Sequence, residues 1–424
     1  MSSSTPVTGT APVVGGGPSG LMAAEVLAAA GLQVDVYEHM PSVGRKLLLA
    51  GRSGLNLTHS EPLDRLVERY GSAALVRDAV QAFSPAQLRA WCTELGEATY
   101  VGSSGRVFPT SLRATPLLRA WLARLQLQGV RMHVRHRWLG WATTPDGAID
   151  PQHHRFQPAA GPVVIAGSDV TVFALGGASW PRVGSDGGWV PHFRAAGLDV
   201  RALRPANCGA LVHWTEHFAE QFAGVPLKNV ALGAGGEMVR GDAMVTATGL
   251  ESGPVYMLSA TIRNEIDRNG ACDLTVDLHP DLALATVQQR LSQRRPKESQ
   301  ATALRRCLGL PPVAVSLMRE ATGNRLPTDP AALARLVKCL PLAVHSTAPI
   351  ERAISSAGGL ALAELDDHFM VRRLPGTFVA GEMLAWDPPT RGYLLQASFS
   401  TAVAAARGAI VWRDGAAAAP PSAH

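Results

Sequence analysis

A glycine-spaced turn close to the N-terminus constrains the fold of this chain more than any other feature of its sequence. Ala11–Val14 is a short apolar run that ends in Gly15, and Pro18–Ala30 is an alanine-rich segment that predicts a helix closed by Gly31. Leu32–Glu38 has the composition of a second strand. A strand, a turn, a helix and a second strand in this order predict a βαβ unit of Rossmann type.

The spacing of the glycines in this turn, Gly15-x-Gly17-x-x-Gly20, is typical of dinucleotide binding. The first glycine allows a tight turn, the second lets the backbone approach a pyrophosphate, and the third lets the helix pack against the strand. The phosphates then meet free N–H groups at the helix N-terminus. Glu38, which ends the second strand, is placed to bind a ribose diol. These residues do not separate FAD from NAD, because both contain the adenosine half and the pyrophosphate.

A second pattern near the C-terminus favours FAD. Gly376–Ala380 predicts a buried strand that ends at Gly381-Glu382, and Gly392 precedes an alanine-rich helix predicted over Leu395–Val411. A dehydrogenase that binds only NAD does not need this motif, whereas FAD is commonly held from both ends of the chain. The N-terminus of the helix would place its partial positive charge against the N1–C2=O edge of the flavin, where negative charge develops on reduction.

The length of 424 residues exceeds one ordinary compact core and predicts more than one domain. We expect an α/β protein whose FAD domain, residues 11–196 and 348–413, is interrupted by an inserted mixed β/α domain, residues 197–347. The insert is expected to cover the flavin and shape a substrate cleft, and residues 1–10 and 414–424 are expected to be flexible tails. Val163–Ala174 contains two apolar runs around a turn-like Gly-Ser-Asp, which predicts a hairpin or a strand pair.

Several classes of protein are disfavoured by what the sequence lacks. The five cysteines form no C-x-x-C, which argues against a redox disulfide, an iron–sulfur site or a cysteine zinc site. No metal site is predicted from the histidines: His133 and His136, on one strand, would point to opposite faces, and His153 and His154 are expected to be exposed in a loop. No secretory leader and no uninterrupted apolar stretch of about 20 residues is present, which predicts a cytoplasmic protein without a membrane span.

The charge balance favours anionic partners. The formal net charge is +5 and the sequence pI is about 9.1, which suits phosphates, dinucleotides or RNA. The basic segment Arg290–Arg306 is either a solvated helix face with a linker or a nucleic-acid patch.

Four motifs follow one another along nearly the whole chain. They are V-V-G-G-G-P-S-G-L-M-A-A, then Y-E-H-M-P-S-V-G-R-K-L-L-L-A-G-R-S-G-L-N-L-T-H-S, then A-L-G-G-A-S-W-P-R-V-G-S-D-G, and finally S-A-G-G-L-A-L-A-E-L with G-T-F-V-A-G-E-M-L and R-G-Y-L-L-Q-A. In sequence and in order these motifs resemble those of the bacterial BaiN/YhiN-like flavoproteins. The resemblance implies a glutathione-reductase-type FAD domain with an inserted domain. It also implies NAD(P)H-linked reduction of carbon–carbon double bonds, with steroid-like enones and uridine in ribosomal RNA among the proposed substrates.

The resemblance also implies roles for individual residues. The ADP half of FAD would be bound by Gly15, Gly17, Gly20 and Glu38, and its phosphates or flavin would lie beside Arg45 and Lys46. The ribityl chain and isoalloxazine would be surrounded by Gly381, Glu382, Gly392, Tyr393 and Gln396. The family often shows G-G-G-x-C-N-x-T where this chain has G-R-S-G-L-N-L-T at residues 51–58, so any role of that cysteine is not transferred.

Two further residues are candidates for the chemistry itself. Arg106, in G-R-V-F-P, is placed near the substrate or the flavin, and Asn56 would donate to the flavin or to a carbonyl group. Each is equally compatible with a hydrogen bond that only stabilises the fold.

The expected reaction is reduction of a double bond in a small molecule or in RNA, with NAD(P)H as electron donor. No second G-x-G-x-x-G follows a clear strand, so NAD(P)H is expected to dock transiently. Two alternatives stay open at this point: a flavin monooxygenase, and an RNA-associated protein whose FAD is structural. A reductase of ribosomal uridine would combine the flavin with a basic surface that contacts ribosomal RNA.

Overall fold

A computed structural model describes residues 9–418 of the chain. The strands are β1 Thr10–Val14, β2 Gln33–Glu38, β3 Thr58–His59, β4 Thr99–Val101, β5 Arg106–Pro109, β6 Arg131–Val134, β7 His136–Thr143, β8 Ile149–Pro158, β9 Val164–Gly167, β10 Thr171–Phe173, β11 Val200–Ala206, β12 Ala210–Leu211, β13 Pro226–Ala234, β14 Glu237–Thr246, β15 Gly249–Glu251, β16 Cys272–Asp277, β17 Leu340–Val344, β18 Ser346–Thr347, β19 Ser355–Leu360 and β20 Thr377–Val379. The α-helices are α1 Pro18–Ala29, α2 Arg45–Ala50, α3 Leu63–Glu68, α4 Ala74–Ala82, α5 Pro85–Glu94, α6 Ala114–Leu127, α7 Val190–Ala195, α8 Glu216–Phe222, α9 Gly253–Met257, α10 Ser259–Asn269, α11 Leu284–Leu291, α12 Gln300–Leu308, α13 Pro312–Ala321, α14 Pro330–Lys338 and α15 Tyr393–Ala418.

The chain divides into two compact units, and the first comprises Met1–Arg204 and Ser355–His424. Its centre is a five-stranded sheet in the order β20-β10-β1-β2-β6, in which every pair is parallel. Val13 of β1 faces Val36 of β2 on one side and Val172 of β10 on the other. The crossover from β1 to β2 is α1, so the predicted α/β fold with a Rossmann-type βαβ unit is confirmed.

The C-terminal part of the chain completes this sheet and its core. Strand β20 pairs with β10, with Phe378 facing Val172, and α15 packs against α1. The side chains of Phe378 and Phe399 are fully buried. The predicted return of the chain to its first domain therefore has a direct structural basis, because β20 could not otherwise form an edge of the same sheet.

Val163–Ala174 was expected to form a hairpin or a strand pair: both strands exist, but they do not pair with each other, so the hairpin is wrong. Strand β9 pairs antiparallel with β8 in a separate three-stranded sheet, whereas β10 runs parallel between β1 and β20. The turn between them is tied instead to the start of β1, where the backbone N–H of Thr10 donates to Asp169 Oδ2 over 2.6 Å. Thr171–Phe173 is fully buried, so its backbone groups cannot bond to water. Parallel pairing with β1 and β20 satisfies them instead.

The second unit, Pro205–Ile354, is built on a seven-stranded sheet in the order β17-β16-β13-β14-β15-β12-β18. All of its pairings are antiparallel. Its own hydrophobic core joins this sheet to helices α8 and α10–α14, with Leu232, Leu274, Leu304 and Leu317 fully buried.

The two units end a few residues from the expected domain boundaries, at 204/205 and 354/355 where the sequence placed them at 196/197 and 347/348. The insert's expected role in shaping a substrate cleft stays a prediction. The expected tails lie partly outside the described residues: residues 1–8 and 419–424 are not described, Thr10 already belongs to β1, and residues 414–418 belong to α15.

Helix α15 is long and apolar enough to cross a membrane by length and composition: within Tyr393–Gly415 its most apolar 18-residue window has a mean hydropathy of 1.3. However, 67 % of its most apolar window is buried inside the protein, where it packs on α1 and α4. Burial in the core of the first unit therefore accounts for its apolar composition. The expected cytoplasmic location stays a prediction.

Candidate functional site

In the glycine turn between β1 and α1, the three glycines of the motif, Gly15, Gly17 and Gly20, have different surroundings. Gly15 has a φ of +111°, and a Cβ atom there would lie 2.3 Å from the carbonyl oxygen of Ala174. A Cβ atom at Gly20 would lie 1.8 Å from the carbonyl oxygen of Gly15, so the helix and the turn are in direct backbone contact. At Gly17 a Cβ atom would meet no protein atom within 4 Å. Packing within the protein therefore explains Gly15 and Gly20 but not Gly17.

The open space at Gly17 lies at the N-terminus of α1. Gly17 is the N-cap residue, no side chain caps the helix, and its first turn contains no acidic residue. The N–H groups of the first turn have no intrahelical acceptor, and the helix dipole favours an anion at this end. The residues present thus fit a dinucleotide pyrophosphate, as the spacing predicts.

Glu38 lies at the end of β2, beside this turn. Its Oε2 accepts a hydrogen bond from the backbone N–H of Gly16 over 2.9 Å, and its Oε1 accepts one from that of Met40 over 2.8 Å. The carboxylate is therefore fixed at the C-terminal edge of the parallel sheet, next to the space at Gly17. This is the position that a ribose-binding carboxylate takes in a Rossmann unit.

Lys46, on α2, connects the N-terminal and C-terminal parts of the candidate site. Its Nζ lies 2.7 Å from Glu382 Oε2 and donates to Ser179 Oγ over 2.7 Å. Arg45, next to it, donates from Nη1 to Ser42 Oγ over 3.2 Å, while its Nε is buried without a partner. The structure thus brings Lys46 and Glu382 into direct contact.

Gly381 places the end of β20 against the first turn of α1. Its φ is +79°, and a Cβ atom there would lie 2.2 Å from Ser19 Oγ. Its backbone N–H donates to Thr401 Oγ1 of α15 over 3.0 Å. The glycine is required because the two segments approach more closely than a side chain permits.

Gly392, immediately before α15, brings the two candidate catalytic residues near the start of that helix. Its φ is +96°, and a Cβ atom there would lie 2.8 Å from both Asn56 Oδ1 and the carbonyl oxygen of Thr58. The strand that begins at Thr58 pairs with β5, and His59 faces Arg106. Asn56 Oδ1 and Arg106 Nε are both buried without a hydrogen-bond partner.

The side chains of Tyr393 and Gln396 are bonded to protein groups. The Tyr393 hydroxyl donates to Glu61. The backbone carbonyl oxygen of Tyr393 accepts from the Tyr70 hydroxyl over 2.9 Å. Gln396 is fully buried and donates from Nε2 to the carbonyl oxygen of Phe83 over 2.8 Å. Gln396 Oε1, in contrast, is buried without a hydrogen-bond partner. The predicted contribution of these two residues to FAD binding stays a prediction.

Ser356 belongs to the site although the sequence did not single it out. Its Oγ accepts hydrogen bonds from the backbone N–H groups of Ala178 and Ser179, over 2.8 and 3.2 Å, and its N–H donates to Glu382 Oε1 over 2.8 Å. A Cβ atom at Gly177 would lie 2.3 Å from Ser356 Oγ. The small-residue runs Gly176–Ser179 and Ser355–Gly359 were the available signal, because only small residues allow two backbones to approach in this way.

The histidines are placed differently from what the sequence led us to expect. His133 and His136 do not point to opposite faces of one strand, because Arg135, at a φ of +58°, separates β6 from β7, and their ring centroids lie 5.7 Å apart. His154 is not exposed in a loop: it lies in β8, is fully buried, and shares a 2.7 Å hydrogen bond with Thr171 Oγ1. Among the described residues, no group of three or more His, Cys, Asp or Glu side chains is arranged to hold a metal ion.

Comparison with known proteins agrees with the Rossmann fold of the first unit. The family model described as HI0933-like protein Rossmann domain matches residues 10–408. Among solved structures, 3-ketosteroid-Δ4-(5α)-dehydrogenase from Rhodococcus jostii is 16 % identical over 95 % of this chain and 97 % of its own, with a TM-score of 0.51. The 3-ketosteroid Δ1-dehydrogenase from Sterolibacterium denitrificans is 11 % identical over 95 % and 100 %, with a TM-score of 0.53. Quinol fumarate reductase from E. coli is 15 % identical over 98 % and 72 %, with a TM-score of 0.52. At these identities the three structures share the fold of this chain.

Proposed function

This chain belongs to the HI0933-like family of FAD-binding oxidoreductases, and we propose that it uses NAD(P)H to reduce a carbon–carbon double bond. The observation that carries the proposal is that N-terminal and C-terminal segments of the chain lie together beside the open space at Gly17. Lys46 and Glu382 are paired at 2.7 Å, and Gly381 lies against the first turn of α1, whose N-cap Gly17 faces open space. This arrangement suits a single extended dinucleotide held from both ends of the chain.

FAD, when bound, supplies the transfer of hydride between donor and acceptor. The residues of the chain bind and orient it: the first turn of α1 would bind the pyrophosphate, and Glu38 would bind the ribose hydroxyls. The N-terminus of α15, after Gly392, would stabilise negative charge at the flavin edge through its N–H groups and helix dipole. Arg45 would add positive charge beside the phosphates or the flavin, whereas the charge of Lys46 is paired with Glu382.

NAD(P)H is proposed to dock transiently as the electron donor. The described residues contain one parallel sheet of Rossmann type, and the sheet of the second unit is antiparallel throughout. A second Rossmann site for the nicotinamide nucleotide is therefore lacking in this part of the chain. In the overall reaction, NAD(P)H provides one hydride, which is two electrons and one proton. A second proton comes from solvent or a protein group, and the two together saturate the double bond.

The proposed acceptor is either a small enone or a uridine in ribosomal RNA. Ketosteroids and fumarate appear in the names of the three structural neighbours, and they are small unsaturated or carbonyl compounds. They support the first alternative by analogy of fold alone. For RNA, the support is the basic segment of the second unit, where Arg295, Lys297 and Arg305 are exposed while Arg306 is paired with Glu298 at 2.8 Å.

The proposal is tested by anaerobic reduction and reoxidation of the FAD-bound protein. NADH and NADPH are each mixed with the protein, and loss of the flavin absorbance is followed. The reduced protein is then mixed with a set of enones and, separately, with unmodified ribosomal RNA. We expect one nicotinamide nucleotide to bleach the flavin and one acceptor class to restore its colour.

Other outcomes would overturn the proposal and favour the alternatives. Rapid oxygen consumption that a substrate stimulates, with no anaerobic reoxidation by any alkene, would indicate a monooxygenase. RNA binding that falls steeply with salt and is unchanged by flavin reduction, with no bleaching by either nucleotide, would indicate an RNA-associated protein whose FAD is structural.

A further inference from the structure

Two arginines from distant parts of the chain lie near each other at the start of α15. Gly392 packs against the backbone of Asn56–Thr58, which places the preceding residue, Arg391, beside this segment. Thr58 and His59 pair with β5, where His59 faces Arg106. Burial lowers the pKa of Arg106 below its ordinary value, and the nearby positive charge of Arg391 acts in the same direction.

Within residues 9–418, neither Arg106 nor Arg391 has a carboxylate within ion-pair distance. The nearby carboxylate of Glu61 is already bonded to Arg69, at 3.0 Å, and to the Tyr393 hydroxyl. Both arginines are partly withdrawn from solvent, which strengthens their mutual repulsion compared with an exposed pair.

Two further costs fall at the same place. Arg391 has a φ of +75°, in the left-handed region that side chains other than those of Gly, Asn and Asp rarely occupy. Arg106 Nε is buried without a hydrogen-bond partner, and Asn56 Oδ1 likewise. Strain, like-charge repulsion and unsatisfied polar atoms cluster where a ligand compensates for them.

We propose that Arg106 and Arg391 bind the carboxylate or phosphate of a small anionic electron acceptor. A guanidinium group donates two parallel hydrogen bonds to such an oxyanion, and a pair of guanidinium groups offsets the negative charge of the oxyanion. A small acceptor is favoured over an RNA backbone because the pair is partly buried within the first unit, whereas the basic segment of the second unit is exposed. The inference rests on the proposed reductase function and narrows its substrate class to unsaturated acids or phosphate esters.

The test uses the FAD-bound protein and the variants Arg106→Gln and Arg391→Asn. Asparagine tolerates the left-handed conformation, so the second variant removes the charge without adding backbone strain. Arg119→Gln, on the exposed face of α6, removes the same charge elsewhere in the first unit and serves as the control. Calorimetric titration with benzoate and with inorganic phosphate measures anion binding without turnover and separates the two oxyanions. Reoxidation of the photoreduced protein by crotonate and by its neutral isostere crotonamide measures acceptor preference.

We expect each arginine variant to weaken binding of the preferred anion about 10- to 100-fold, as is usual for the loss of a charged hydrogen bond, and Arg119→Gln to leave it unchanged. FAD content is expected to stay at the wild-type level in all three variants. Wild-type protein that binds neither anion, variants that bind it like wild type, or variants that lose FAD instead would each overturn the inference. So would reoxidation by ribosomal RNA or crotonamide in preference to crotonate. Failure of NAD(P)H to bleach the flavin, with anion binding intact, would count against the proposed electron donor alone.

Discussion

Lys46 Nζ lies 2.7 Å from Glu382 Oε2, although 336 residues separate the two along the chain. The carboxylate is fixed on its other side by the backbone N–H of Ser356, at 2.8 Å, and the ammonium also donates to Ser179. Four segments of the first unit therefore converge on one ion pair. Because Glu382 is only 9 % exposed, the pair is poorly screened by solvent.

Removal of one partner of this pair should destabilise the first unit. Glu382→Gln keeps the shape and one acceptor but leaves Lys46 without its counter-charge, and we expect a loss of about 1–3 kcal/mol, since Lys46 is itself 23 % exposed. The measurement is the urea midpoint of the apoprotein. Lys46→Met should cost a similar amount, and the double variant should cost less than the sum of the two.

The matched control is Arg65→Met, which breaks the exposed pair between Arg65 and Glu68. That change should shift stability by no more than about 0.5 kcal/mol. Additive effects of Lys46→Met and Glu382→Gln would contradict a direct interaction between the two side chains.

The parts of the fold that could be predicted from the sequence are those with local signals. The turn at Gly15–Gly20 has a spacing that is typical of a Rossmann unit between a strand and a helix, and β20 and α15 have the apolar composition of a buried strand and a core helix. Glu38 follows from its place at the end of the second strand. Each of these expectations needed no more than about 25 neighbouring residues.

The remaining features depend on contacts between distant residues, or on a periodicity that flanking residues obscured. Ser356 joins the site only because the chain returns beside Ala178 after the second unit. Likewise, Arg391 comes near Arg106 only through the packing of Gly392 on Asn56. For His154, the neighbouring Pro and Gly residues favoured a loop, although the alternation of buried His154 and Phe156 with exposed His153 and Arg155 was a strand signal.

Burial of His154 should make the stability of the protein depend on pH in a defined window. Burial, aided by the charge of His153 and opposed by Asp150, lowers the pKa of His154 from 6.5 to about 3. The unfolded chain therefore takes up a proton below pH 6.5 that the folded chain does not, so stability falls as the pH drops from 6.5 towards 3. Between pH 6.5 and 4.5 the expected loss is at most about 2.7 kcal/mol.

The check is the urea midpoint measured across that range in wild type and in His154→Gln. The variant should be less stable at pH 7, because its fit beside Thr171 is poorer, but its stability should vary less between pH 6.5 and 4.5. His153→Gln, at a half-exposed neighbour, should keep most of the wild-type slope. Asp35, with a pKa of about 2, acts below this window. An unchanged slope in His154→Gln would show that this histidine does not titrate as its burial implies.

The five thiols should differ sharply in reactivity. Cys339 is exposed and Cys307 is partly exposed, whereas Cys92, Cys208 and Cys272 are buried. Burial raises the pKa of Cys92 to about 12 and that of Cys272 to about 11, so neither forms the reactive thiolate at neutral pH. In the native protein a thiol reagent should react rapidly with one or two groups, and Cys339→Ser should remove the fastest phase. Rapid labelling of Cys92, located by peptide mass, would contradict its burial.

Gly17, the N-cap residue of α1, and Gly20, in its first turn, should respond differently to the same added methyl group. In Gly20→Ala the methyl would lie 1.8 Å from the Gly15 carbonyl oxygen, so the apoprotein should lose at least about 1–3 kcal/mol of stability from overpacking.

In Gly17→Ala the methyl meets no protein atom within 4 Å, and a φ of −81° suits alanine, so apoprotein stability should change by less than about 1 kcal/mol. The same methyl occupies the space predicted for the pyrophosphate, so FAD affinity should fall about tenfold or more, which corresponds to about 1.4 kcal/mol. Urea midpoints of the apoproteins and fluorescence titration with FAD measure the two quantities separately. Wild-type FAD affinity in Gly17→Ala would place the pyrophosphate elsewhere, because no contact within the protein requires a glycine at that position.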